Sequence, residues 1–381
     1  MSRILIAGDF CPVSRVKNFL EEKNYALLFK DVRDIIQSVD YAVVNLECPI
    51  VIQPASPIVK CGPNLSCESS ILEAIRYIGF KMLTLANNHI LDYGENGLQN
   101  TITECKKYGL DWVGVGTNIN DAQKVFYKNI NGYSFAFINI CEHEYSIASQ
   151  FQGGANPLDP LQNFYHIKEA KQKSDYVIVI VHGGHEHYQL PSVRIKKTYR
   201  FFVDAGADIV VNHHQHCYSG YEMYQGKPIF YGIGNFCFDN PQKCNDIWNE
   251  GYMVLLNFDR TNISFELYPY QQCNEIVGVH LLSQERRNFF DNNISELNSI
   301  IQNDRLLYDS YMAYVQSRDK SIMSVFEPYN SRILRAIYNR FWLPSFLGNN
   351  RLKIISNLIF CESHLDVLRS LLYKKLNIPE Y

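Results

Sequence analysis

Acid, amide and imidazole side chains close five separate β-rich apolar runs of this chain. Asp9 follows the run Arg3–Ala7, Glu47 follows Tyr41–Leu46, and Asn88-His89 follow Lys81–Leu85. His182 follows Tyr176–Val181, and His213-His214-Gln215-His216 follow Asp208–Val211. In open α/β sheets, ligands bind just outside the carboxyl ends of strands. Five strands delivering such groups to one edge therefore predict an α/β fold with a metal centre there. Imidazole and carboxylate together suit Zn, Mn or Fe, and a carboxylate can bridge two ions. His214 and His216 are two apart, so an extended chain puts both on one side. Taken singly, each group has a blander reading. Asp9 fits a turn, Asn87-Asn88 a loop and helix cap, and His182-Gly183-Gly184-His185 a turn with surface histidines. The ordered set outweighs them. A zinc protease on His182, His185 and His187 lacks a His-Glu-x-x-His helix, and the flanking glycines oppose one.

The remaining pattern agrees with this class. Further strands are expected at Asp111–Val115 and Tyr133–Ile140, and helices at Gly94–Tyr108 and Ser192–Ala205, each stopped by a glycine. After residue 215 the chain reads as hairpins: Tyr221–Tyr224 with Pro228–Gly232, and Tyr252–Asp259 with Ser264–Tyr270, so the sheets are mixed. From Gln284 onward it reads as helices: Gln284–Asp304, Arg305–Gln316, Ser331–Arg340, Asn350–Ile359 and Ser363–Leu372. The expected division is 1–280 for the α/β domain and 281–381 for a helical C-terminal subdomain. A net charge of −3 gives no reason to propose nucleic acid as a partner. No apolar run approaches the eighteen or so residues of a transmembrane segment, and the N-terminal run is too short for a signal peptide. The 11 scattered cysteines, without a Cys-x-x-Cys pair, fit free thiols in a reducing compartment. The chain reads as cytoplasmic.

Several segments, in order, resemble the CapA family of capsule (poly-γ-glutamate) synthesis proteins. They are Gly8-Asp9, Asn45-Leu46-Glu47, Ala86-Asn87-Asn88-His89 with Leu91-Asp92-Tyr93-Gly94, and His182-Gly183-Gly184 with Glu186 and Tyr188. Ala205-Gly206-Ala207-Asp208 leading to His213-His214-Gln215-His216, and Gly232-Ile233-Gly234-Asn235-Phe236, complete the series over roughly residues 3–240. That family is similar to the calcineurin-like metallophosphoesterases. The resemblance implies a four-layer αββα sandwich with two divalent metals between its sheets. Glu47 is then the bridging carboxylate, Asp9 and His216 hold one metal, and Asn88, His182 and His214 hold the other. His89 faces the substrate as acid or transition-state donor. Phosphoesterases usually carry Asp-x-His on the first strand, whereas here the third position is Cys11.

The function so implied is metal-dependent hydrolysis or transfer on a phosphoester, phosphoanhydride or acyl-phosphate in capsule or surface-polymer synthesis. The alternative is a non-catalytic component that binds an anionic polymer or a synthase, its metals structural or vestigial. Arg15, Lys60, Asn64, Glu142, Glu186, Tyr188 and Asn235 are candidates for reading an anionic small-molecule or polymer substrate, and Glu144 for orienting a second one. A solvated loop position is the competing reading for these. Capsule-synthesis proteins are the expected partners, and the basic, aromatic tail offers a docking surface for one.

Overall fold

Burial along the first strand alternates between two cores, which sets the layering. A computed structural model of the chain describes residues 1–52, 55–60, 62–260, 262–323, 326–329 and 331–360, with positions 368, 372, 375 and 376. In β1 (Ser2–Cys11), Ile4 and Ile6 enter one apolar cluster while Leu5 and Ala7 enter another. β2 (Tyr41–Leu46) repeats the pattern, with Tyr41 and Val43 on the first side and Ala42 and Val44 on the second. A strand buried on both faces lies between two layers.

The remaining strands are β3 (Met82–Thr84), β4 (Asp111–Val113), β5 (Val115–Gly116), β6 (Phe126–Ile130), β7 (Tyr133–Cys141), β8 (Gly154–Ala155), β9 (Tyr176–His182) and β10 (Ile209–His213). After them come β11 (Tyr221–Tyr224), β12 (Lys227–Phe230), β13 (Asn235–Phe238), β14 (Glu250–Phe258), β15 (Ile263–Gln272) and β16 (Val279–Leu281). An eight-stranded sheet runs β16-β15-β14-β1-β2-β3-β4, with β13 also paired to β1. A six-stranded sheet runs β11-β12-β10-β9-β7-β6. Both are mixed: parallel at the centre, antiparallel where the hairpins attach.

The two sheets face each other through aromatics. The Tyr41 and Phe137 rings lie 5.8 Å apart, and Phe135 meets Phe258 edge-on at 4.9 Å. Helices α1 (Arg15–Glu21), α2 (Tyr25–Gln37), α3 (Ile71–Ile78) and α4 (Gly94–Tyr108) accompany the first sheet. From them Leu28, Phe29, Ile75 and Leu98 join Leu5, Val44 and Leu83 in one core. After the short α5 (Ile119–Ala122), α6 (Pro160–Lys173) and α7 (Val193–Ala205) cover the second sheet with Ile167, Ala170, Ile195 and Phe202. The architecture is the αββα sandwich.

The expected strand Asp111–Val115 breaks in two at Gly114, whose φ is +93° and whose missing Cβ leaves room for the Asn139 side chain. β5 therefore leaves the large sheet and pairs with β8. The chain forms two compact units, Met1–Leu307 and Tyr308–Tyr381. This division falls beyond residue 280 because α8 (Gln284–Gln302) buries Phe290, Ile294, Leu297 and Ile301 in the sandwich core. α9 (Asp304–Met323), α10 (Arg332–Asn339) and α11 (Asn349–Phe360) follow. The expected helix Ser363–Leu372 and Cys61 lie outside the described residues, apart from positions 368 and 372. Among the described residues no helix is long and apolar enough to cross a membrane.

Candidate metal centre

Two irregularities bring Asp9 to the sheet edge. The pairing of β1 with β2 slips between Ala7 and Asp9, and its pairing with β13 slips between Asp9 and Phe10. Such bulges re-aim side chains at the ends of strands. Gly8 permits the local crowding, because a Cβ there would lie 1.8 Å from the Gly234 carbonyl oxygen. Phe10 and Cys11 both turn into the apolar cluster shared with the helices. Cys11 therefore takes no part in the site, and its thiol is pushed up by burial. The Asp9 carboxylate accepts from Asn45 Nδ2 at 2.7 Å and from the His214 backbone N–H at 3.0 Å.

Around it the other candidates gather, all buried. His182 Nε2 lies 3.0 Å from Asn88 Oδ1, 3.2 Å from His214 Nδ1 and 3.5 Å from Glu47 Oε1. His216 Nε2 lies 3.7 Å from Glu47 Oε1, and its Nδ1 lies 3.8 Å from Asp9 Oδ2. Neither carboxylate oxygen of Glu47 has a hydrogen-bond partner. The described residues thus contain three overlapping sets able to hold an ion, Glu47-His182-His214, Asp9-Glu47-His216 and Asp9-His182-His213. The shared side of His214 and His216 does not come from extended chain, as the spacing suggested. β10 stops at His213, and both residues take left-handed φ values, +85° and +55°. Backbone of that kind is costly for a side-chain-bearing residue and clusters at functional sites.

Electrostatics separate the groups by type. Burial, and then the neighbouring Glu47, pushes the Asp9 carboxyl well up. Burial also raises Glu47, against the lowering by His216 and His89. Burial, and then the other imidazoles, pushes His182 and His214 well down, so they are neutral and keep a lone pair for a cation. Two buried acids beside neutral imidazoles form a donor set that a divalent cation satisfies.

Residues 3–240 match the family described as bacterial capsule synthesis protein PGA_cap. The chain belongs to this family. It is 33% identical over 242 residues to the capsule biosynthesis protein CapA of Bacillus anthracis, covering 61% of this chain and 59% of that one. It is 34% identical over 236 residues to the PGA biosynthesis protein CapA of Bacillus subtilis (strain 168), covering 61% and 62%. The match thus spans about three fifths of the length of these relatives. A crystal structure of a hypothetical protein from Thermus thermophilus aligns with 71% of this chain and 99% of its own, at 14% identity and a TM-score of 0.45.

In this PGA_cap-family chain the proposed substrate readers are variously placed. Lys60 turns inward, its side chain only 3% exposed, and pairs with Asp92, its Nζ lying 3.1 Å from His89 Nδ1. Asp92 Oδ2 in turn lies 2.7 Å from His89 Nδ1. Asn235 is buried, with its Oδ1 2.9 Å from His216 Nδ1, which leaves Nε2 of that ring facing Glu47. Arg15 is committed to Asp239 by paired hydrogen bonds and to the carbonyls of Cys273 and Asn274. Asn64 Nδ2 donates to the Ile58 carbonyl at 3.2 Å. Glu142 pairs with Arg194 and accepts from the Gly184 backbone, while Glu144 accepts from Asn88 Nδ2 at 3.1 Å. Glu186 is exposed and close enough to raise the Glu47 carboxyl, and Tyr188 is partly exposed beside the His185 ring.

One group named in the sequence constellation was given no ligand role. His213 is buried, its Nδ1 is 3.9 Å from Asp9 Oδ1, and neither ring nitrogen has a hydrogen-bond partner. It sits beside His182 in register between β9 and β10, so the two side chains share a face. The signal lay in the strand running two residues past Val211. Burial, and then His182, pushes His213 down to about 3.

Proposed function

We propose that this chain holds two divalent cations, Zn, Mn or Fe, and hydrolyses or transfers a phosphoester, phosphoanhydride or acyl-phosphate group in capsule or surface-polymer synthesis. The observation that carries this reading is Glu47: both oxygens are buried and without hydrogen bonds, with imidazole nitrogens of His182 and His216 at 3.5 and 3.7 Å. Metal–ligand bonds of about 2.0–2.1 Å imply ligand–ligand edges of about 3.3–3.4 Å in a tetrahedron and about 2.9 Å in an octahedron. The 3.0, 3.2 and 3.5 Å separations around His182 Nε2 suit such a cage. Glu47 would bridge two ions, Asp9 and His216 would hold one, and Asn88, His182 and His214 would hold the other.

When bound, the ions lower the pKa of a coordinated water and neutralise charge on the reacting group. The chain's own contribution is to position and to move a proton. Asp92 accepts from His89 Nδ1–H, and a second proton, on Nε2, is the one the ring would pass to the leaving oxygen of the substrate. Lys60 balances the Asp92 charge and holds the pair in place. An anionic small molecule or polymer is the substrate, and capsule-synthesis proteins are the partners. Cys11 favours a second reading, a binding component with structural metals, because position 11 supplies no imidazole.

The test is metal content, followed by hydrolysis of an aryl phosphodiester and monoester with added Mn²⁺. Metal-dependent turnover lost in Asp9→Ala and His214→Ala supports the enzyme. Bound metal without turnover on a broad panel supports the binding component. A wild-type chain that takes up no divalent cation sinks both.

A further inference from the structure

Residues 331–360 stand apart from the rest of the chain in charge. They contain Arg332, Arg335, Arg340, Arg351 and Lys353 and no Asp or Glu, within a chain of net charge −3. At about 100° per residue, Ile333, Leu334 and Ile337 fall on one side of α10, and Arg332, Arg335 and Asn339 on the other. A helix of a globular protein usually buries its apolar side. Here Ile333 is 72% exposed and Leu334 41%. Just after the helix, Phe341, Trp342 and Phe346 are 80%, 75% and 55% exposed, and on α11 Ile354 is 63% exposed between the cations Arg351 and Lys353 and the chain beyond.

Five cations in a segment without a single acid call for an anionic occupant, and the exposed Trp, Phe and Ile side chains call for an apolar one. An anionic lipid surface supplies both at once: phosphate headgroups for the guanidinium groups, and the headgroup–acyl boundary for the aromatic rings. An acidic protein surface answers only the first demand. We propose that residues 331–360 form a membrane-surface element that lies on anionic lipid, with the apolar side of α10, Trp342 and Phe346 entering the interface. Since no described helix is long and apolar enough to cross a membrane, the element lies on the bilayer and does not span it.

The test uses the full chain in flotation with vesicles of phosphatidylcholine alone and of phosphatidylcholine with a quarter or so of phosphatidylglycerol, at about 0.1 M salt. Each basic residue near such a surface is worth about 1 kcal/mol, or about fivefold in partitioning. The expected result is binding to the anionic vesicles only, weakened about 100-fold in Arg332→Gln/Arg335→Gln/Arg340→Gln and by raised salt. Tryptophan emission should shift to the blue on adding anionic vesicles, and the shift should vanish in Trp342→Phe. Thermal melting of each variant checks that the fold is kept; Arg332, Arg340 and Trp342 are exposed and Arg335 is partly so, so it should be unchanged. Equal binding to neutral vesicles, no binding to either, or full binding by the triple variant overturns the proposal. So does a co-purified protein that the triple variant releases while vesicles leave the emission unmoved.

Discussion

Replacing Glu47 by glutamine should reverse in sign according to whether metal is present. Glu47 is buried and neither oxygen is hydrogen-bonded by the protein. A buried acceptor without a partner costs about 1–3 kcal/mol, and a charged one more. Glutamine keeps the shape, removes the charge, and presents an NH₂ to imidazole nitrogens that lie 3.5 and 3.7 Å from Glu47 Oε1. The metal-stripped Glu47→Gln protein should therefore be about 1–3 kcal/mol more stable than wild type. At about 2.1 cal/mol/K per residue, the unit Met1–Leu307 unfolds with an entropy near 0.6 kcal/mol/K, so Tm should rise by about 2–5 °C. With metal at about a thousand times its Kd, wild type gains about 4 kcal/mol and about 6 °C, while the variant, lacking the bridge, gains little. The order of the two melting temperatures should thus swap between chelator and metal buffer, as read by differential scanning fluorimetry. A variant less stable than wild type in both buffers refutes the account of Glu47 as an acid held in place for a cation.

Two further substitutions separate geometry from chemistry. Gly8→Ala forces β1 and β13 apart by roughly 1 Å or more, since the new Cβ would stand 1.8 Å from the Gly234 oxygen. Metal affinity, measured by titration calorimetry, should fall by about 100-fold or more, whereas Gly109→Ala, with nothing within 4 Å of its Cβ, should keep wild-type affinity despite its +65° φ. Wild-type affinity in Gly8→Ala would show that the crowding at the bulge does not set the site. His89→Ala should lower turnover of a generic aryl phosphodiester by about 100-fold or more while leaving metal content intact. Unchanged turnover removes His89 from the chemistry.

Asp9, Glu47, Asn88, His182, His214 and His216 were legible as a group because each follows an apolar run, although the runs belong to two facing sheets and not to one. The fold class was legible for the same reason, since Tyr41–Leu46 and Tyr176–Val181 can only be strands covered on both faces. What the sequence hid depends on contacts made across long separations. Arg15 meets Asp239 only because β13 pairs with β1, a partnership 224 residues away in the chain. Lys60 read as a candidate for contacting an anionic substrate, whereas in the fold it is drawn inward to Asp92. α8 seemed to open a separate helical region, but its Phe290 and Leu297 find apolar neighbours in the sandwich core. His213 was named with the imidazoles that close the fifth run but given no ligand role, and the register with His182 is what places its ring beside Asp9.

Asp9, Glu47 and Asn88 are carried by the eight-stranded sheet, and His182, His214 and His216 by the six-stranded one. An ion gripped by both groups would rivet two leaves that the chain completes at different times. One leaf alone presents oxygens of the kind that suit magnesium or calcium; the other presents imidazoles that suit zinc. If the proposed ions bind, the selection between these two classes of metal would have to wait until the stretch around residue 216 has been made and the leaves have closed.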